Sequence, residues 1–426
     1  MYYYFFHTIN IIFYVCLAIS VVFLLNTIVS HIVGLFPSKR LPDAKNEHKF
    51  ALLIPARNES KVIAGLLDSI ASQDYNSDLL ETYVIVESKD DPTCEIAKKY
   101  KNTHVFVRQH LELKGKGYAL DEVIQDISKN KKEYDAIFIF DADNILSPNF
   151  ISEMNKAYDA GYQISLGYRN SKNWNDGWVA SCSALTFSMI NTFHNKCRSK
   201  FNRNVILSGT GFFIDFNVIK KIGGWKFYSL TEDYELSLFS TLINLKSYYN
   251  EYAEFYDEQP TSIKTSWNQR VRWVKGHTQN DQKYIKKLAK SAILEKENRW
   301  SKTENALSIL PISMLLITLA FYTICTFTLS IIGFILGQSL AIYALLACIL
   351  STIAIYIFLF FYTLLMILVE KKRINITPKN AFICCVMNPI FMALYVPIFF
   401  RTLSKKEVEW KPIAHNVTEI KDANKK

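Results

Sequence analysis

Four stretches of the chain carry no Lys, Arg, Asp or Glu: residues 9–36, 306–336, 339–369 and 381–400. A helix needs about 20 apolar residues to cross the hydrocarbon of a bilayer, and the first three runs exceed that. The run at 9–36 predicts an N-terminal span. No basic stretch precedes it and it is longer than the apolar core of a secretory leader, so it does not read as a cleaved signal. Lys39 and Arg40 follow at once, which by the positive-inside rule places the chain from 37 onward in the cytosol. The runs at 306–336 and 339–369 are separated only by "LGQSL", a tight extracytoplasmic turn, and the basic "EKKRINITPK" (370–379) returns to the cytosol. The fourth run contains Pro389 and Pro397; it spans, re-enters or lies at the interface, and hydropathy does not choose among these.

Between these blocks the pattern is that of a soluble α/β domain. "KFALLIPARNE" (49–59), "TYVIVES" (82–88), "HVFVRQ" (104–109) and "DAIFIF" (135–140) are short apolar runs. They are continuous, as in strands covered on both faces. "SKVIAGLLDSIASQ" (60–73), with Ser60 as an N-cap, "PTCEIAKKY" (92–100), opened by Pro92, and "YALDEVIQDISKN" (118–130) have helical spacing. Strands alternating with helices predict a parallel sheet. The chain then divides into an N-terminal membrane helix (1–40), a cytosolic domain ending in an interfacial segment (41–300), C-terminal membrane helices (301–402) and a basic tail (403–426).

Composition changes this picture little. Of 426 residues 50% are hydrophobic and the net charge is +10. A basic balance suits nucleic acid, a membrane surface or an anionic substrate; with no Arg-rich tract or nucleic-acid signature, the latter two remain. The eight cysteines are scattered, with no CxxC and no zinc spacing, which fits reduced cytosolic thiols.

The chemistry concentrates where strands end. In parallel α/β sheets ligands bind outside the carboxyl ends of the strands. Glu59 follows the first strand, Glu87 and Asp91 the second, and Asp141 and Asp143 the fourth. A polar strand end would explain any one of them; several converging on one edge repel unless a cation sits among them. Lys114 and Lys116 in "LKGKGYALDE" bring positive charge to the same edge, and no P-loop is present. Carboxylates facing a diphosphate are hard ligands suited to Mg²⁺ or Mn²⁺.

Four motifs in order complete the pattern: "IPARNE" (54–59), "DAD" (141–143), "TED" (231–233) and "QRVRW" (269–273). With them the chain resembles the family 2 glycosyltransferases of GT-A (Rossmann-like) fold, in particular the membrane-embedded processive branch of cellulose, chitin, hyaluronan and poly-N-acetylglucosamine synthases. The resemblance covers about 49–276. It implies that Ala56, Glu59, Glu87, Lys116, Asp141 and Arg272 bind the nucleotide sugar. It further implies that Asp143, with Asp141, holds Mg²⁺ or Mn²⁺, that Asp233 beside Glu232 is the general base, and that Gln269 and Trp273 meet the acceptor. "VESKDDPT" departs from the usual "DDGS.D", leaving Glu87 in an Asp position. Thr231 is expected to cap the helix of "TED", and "SGTGFFID" (208–215) to border the acceptor site.

One displacement at the anomeric carbon would turn an α-linked UDP-sugar into a β-linked product. The expected activity is polymerisation of a UDP-sugar and export of the polysaccharide across the plasma membrane by a multi-pass protein, without nucleic acid. UDP-glucose, giving a β-glucan, is favoured and UDP-N-acetylglucosamine is next. Two other readings stand beside it: a non-processive transferase acting on a polyprenyl phosphate or ceramide, and a nucleotide-sensing transporter or receptor.

Overall fold

Runs of residues with no side chain facing water make the centre of the sheet. The computed structural model describes residues 2–307, 310–403 and 415–420. Its strands are β1 (Phe50–Pro55), β2 (Leu80–Val86), β3 (Thr103–Val107), β4 (Ala136–Ile139), β5 (Ile145–Leu146), β6 (Ile164–Ser171), β7 (Phe212–Asp215) and β8 (Ser247–Asp257). They form one sheet in the order β3-β2-β1-β4-β7-β6-β8-β5. The first four are parallel, as the sequence predicts. The other half departs from that expectation: β7 runs antiparallel to β4 and β6, β8 is parallel to β6, and β5 is antiparallel to β8. A parallel neighbour for β4 needs a crossover; β7 instead enters from the "SGTG" turn in the opposite direction.

β4 explains why a core strand can run into two carboxylates. Ala136, Ile137, Phe138 and Ile139 are fully buried, as is Phe140. Burying a large apolar side chain contributes about 1.5–3 kcal/mol, so the strand is held in place whatever its carboxyl end costs.

The helices mostly lie where the spacing puts them, but two predicted caps do not. The helix after β1 is Ile63–Ala71, begun by Val62 with no side-chain cap, so Ser60 lies outside it. Thr231 does precede the helix Glu232–Leu242, yet its side chain makes no cap. Its Oγ1 accepts instead from Asn280 Nδ2 at 3.1 Å, on the long helix Ile263–Leu294.

Among the described residues three helical stretches are long and apolar enough to cross a membrane: Tyr2–Val21, Ala341–Glu370 and Pro378–Thr402. The charged loop after Ala341–Glu370 docks on the sheet. Glu370 accepts from Tyr168 Oη at 2.9 Å and from the Thr192 hydroxyl. Arg373 lies 4.6 Å over the Tyr168 ring and donates to the Glu251 carbonyl at 2.8 Å. These contacts fix the apolar helices against β6 and β8.

Candidate active site

The carboxyl ends of β1, β2 and β4 open into one cleft of about 1370 Å³. Of the candidate ligands the sequence singles out, all but Asp91 line it. Ala56, Glu59 and Glu87 come from the β1 and β2 ends, Lys116 from the start of the helix Lys116–Lys129, and Asp141 and Asp143 from the β4 end. Glu232 and Asp233 come from the "TED" turn, and Gln269, Arg272 and Trp273 from the long helix. Ser208 and Gly209 of "SGTG" join them. Gly211 is obligatory: its φ is +71°, and a Cβ there would lie 2.1 Å from the Phe255 ring.

Asp91 is the exception. It is buried, and its carboxylate accepts the backbone N–H groups of Asn58 and Thr93 at 2.8 and 2.9 Å. It therefore builds the loop behind Glu59. Glu87, standing in the Asp position, is bound by Arg57 Nε at 2.9 Å.

The two carboxylates of "DAD" have different surroundings. Asp141 Oδ1 accepts from Lys116 Nζ at 2.6 Å, and Lys116 also donates to the Gly209 carbonyl at 2.7 Å. Burial works to raise the Asp141 carboxyl; the Lys116 ammonium outweighs it and, with Arg169 and His415, holds it below the usual range. Asp143 is buried, and its Oδ2 accepts the Glu258 N–H at 2.8 Å. Close by, Asp257 is raised by burial and by the charge of Asp143, although Arg169 donates to it. Two buried carboxylates that repel suit a hard divalent cation. Among the described residues no three His, Cys, Asp or Glu side chains gather closely enough to hold one alone. An ion on Asp143 would complete its shell with diphosphate oxygens and water, as Mg²⁺ commonly does.

On the opposite wall Gly276 brings the long helix against the "TED" turn: a Cβ there would meet Thr231 Oγ1 at 2.6 Å. Asn280 Nδ2 spans Ser229 Oγ at 2.9 Å and the Thr231 carbonyl at 3.1 Å. Arg272 Nη1 donates to the Leu230 carbonyl at 3.2 Å. Burial and then the Asp233 charge push the Glu232 carboxyl above its ordinary range, against the pull of Lys116. Trp273 meets Phe187 edge to face, centroids 5.8 Å apart.

Several lining residues carried no signal in the sequence. Arg169 on β6 pairs with Asp257 and lies 3.6 Å over the Phe187 ring. Behind the lining, Lys172, fully buried, donates to the Asp143 and Val417 carbonyls at 2.6 Å each. His415, from the segment read as a tail, lies 3.2 Å from both Glu59 carboxylate oxygens. Asn416 and Val417 give their N–H groups to Glu258 at 2.9 and 2.8 Å. Asp257 ends the β8 strand and Glu258 follows it, so the strand-end argument that finds Asp141 applies to them too.

A half-parallel sheet with helices on both faces and a cleft at its strand ends is the fold of a glycosyltransferase of GT-A type. Residues 48–276 match the family described as "Glycosyltransferase like family 2", and the chain belongs to that family. It is 25% identical over 404 residues to "Probable glycosyltransferase YdaM" of Bacillus subtilis, covering 85% of this chain and 86% of the relative. It is 24% identical over 236 residues to "Beta-monoglucosyldiacylglycerol synthase" of Trichormus variabilis, covering 53% of this chain and 48% of the relative. The chain thus aligns with about half the length of that synthase. In fold it is similar to the mannosyltransferase PcManGT from Pyrobaculum calidifontis, solved with GDP-Man and Mn²⁺. That match has a TM-score of 0.58 and 14% identity, and covers 96% of this chain and 100% of the other.

Proposed function

We propose that this chain transfers a single sugar from a cytosolic nucleotide sugar, UDP-glucose by preference, to the hydroxyl of a membrane lipid, with inversion at the anomeric carbon. The carrying observation is an apolar part of the cleft. Phe187, Ile190, Val271, Val274 and Tyr395 line it, and Tyr395 belongs to the apolar stretch Pro378–Thr402. An apolar wall leading to an apolar helix suits an acceptor with a hydrocarbon part. A polysaccharide path would need polar partners for each hydroxyl, since an unpartnered one costs several kcal/mol in hydrocarbon. The name of the diacylglycerol synthase relative supports this reading over polymer export, which "QRVRW" suggested.

Ala56, Glu59 and Glu87 border the nucleotide, while Lys116 and Arg272 meet the diphosphate; a planar guanidinium can hold two of its oxygens. Asp143, aided by Asp141, would hold Mg²⁺ or Mn²⁺, which would supply stabilisation of charge on the leaving diphosphate. Asp233 accepts the hydroxyl proton of the acceptor. The acceptor oxygen bonds to C1, and the C1–O bond to the diphosphate breaks with its electron pair on the nucleotide. Gln269 and Trp273 flank the acceptor. The domain works on the cytosolic face of the plasma membrane.

The donor is tested by nucleotide release from the purified full chain in mixed lipid vesicles with UDP-glucose, UDP-N-acetylglucosamine or GDP-mannose. UDP-glucose is expected to give the highest kcat/KM. Release from GDP-mannose alone would overturn the donor assignment.

A further inference from the structure

One group in the acceptor half of the cleft has no task in the mechanism above. His277 follows Trp273 by one helical turn, so the two share a helix face, and both line the cleft. Its ring stacks on Tyr234, centroids 4.0 Å apart and planes at 17°. Tyr234 is itself anchored, since its hydroxyl donates to Asp281 Oδ1 at 2.8 Å. Tyr234 also follows Asp233 directly on the helix Glu232–Leu242, so the stack fixes the imidazole beside the proposed base.

Among the described residues the imidazole has no hydrogen-bond partner on either nitrogen, while its ring is exposed toward the cleft. The protein packed around this part of the cleft pushes its pKa down, and the nearby Asp233 charge only partly opposes this. A neutral imidazole offers one N–H donor and one acceptor nitrogen. Purely structural packing would need neither; an aromatic ring of any kind would stack as well on Tyr234.

Building on the lipid-acceptor reading, we infer that His277 is a specificity-determining residue that hydrogen-bonds a second oxygen of the acceptor, close to the attacking hydroxyl. The acceptor class this selects is a lipid alcohol with a neighbouring ester or hydroxyl oxygen, as in a diacylglycerol, over a simple long-chain alcohol. A site built to hydrogen-bond a substrate oxygen discriminates against an analogue lacking it, because its own polar group is then left unpaired.

The test compares dioleoylglycerol with oleyl alcohol as acceptors for the full chain in vesicles, with UDP-glucose as donor. His277→Phe keeps the stack and removes both nitrogens; His277→Gln keeps a donor and an acceptor. Wild type should favour dioleoylglycerol in kcat/KM. His277→Phe should lose about fivefold to tenfold of that preference, the worth of one hydrogen bond, with KM for UDP-glucose unchanged. His277→Gln should retain most of it. An undiminished preference in His277→Phe would overturn the inference and leave the lipid reading standing. Transfer to neither alcohol, with UDP-glucose still hydrolysed, would overturn both.

Discussion

Asp233→Asn should bind UDP as the wild type does and lose transfer by roughly 10²-fold or more, the scale of a positioned general base. The geometry separates it from its neighbour. Both carboxylates line the cleft, but Glu232 is buried and pushed toward its neutral form by that burial and by Asp233 itself. Burial, and then the Asp233 charge, raises the Glu232 carboxyl to about 7, and the mechanism gives the acceptor's proton to its neighbour Asp233. The turn is immobilised by Asn280 and by the contact of Gly276 with Thr231, so the substitution changes chemistry at a fixed position. Calorimetric titration with UDP and single-turnover transfer check the two halves. Near-wild-type turnover in Asp233→Asn would remove it from the mechanism.

The second large effect is expected at Asp143. Chelation by EDTA should abolish transfer, Mn²⁺ should restore it in the wild type, and Asp143→Asn should stay inactive at any Mn²⁺ concentration. Metal stabilisation of a leaving diphosphate is worth several kcal/mol, so the loss should reach roughly 10²-fold or more. Asp143 also accepts the Glu258 N–H. The carbonyl oxygen of Asn can accept the same bond, so the variant should melt close to the wild type. Full activity in EDTA would show that no metal acts.

The parts of this structure that could be read from the chain share one property: their partners are near in sequence or implied by a period. The absence of charge marks the apolar helices, and continuous apolar runs mark β1, β2 and β4. The rule that ligands gather at strand ends leads to Glu59, Glu87, Asp141 and Asp143. The far half of the sheet was hidden because its strands bury polar residues. Asn170 on β6 and Glu254 on β8 satisfy each other at 2.7 Å, and in sequence such residues read as loop. The role of Asp91 was misjudged for a related reason: its carboxylate turns to backbone N–H groups that only the folded loop presents. His277 and His415 owe their places to Tyr234 and Glu59. Neither pairing has a periodic trace, and the second joins residues 356 positions apart.

The central claim is that one sugar goes to one lipid. It is tested most directly by the mass of the product formed when the full chain, in vesicles of defined phospholipid and dioleoylglycerol, is given UDP-glucose. The predicted result is an organic-soluble lipid heavier by a single hexose, absent with Asp233→Asn. A ladder of masses spaced by one hexose, or label in insoluble polymer with none in lipid, would contradict it.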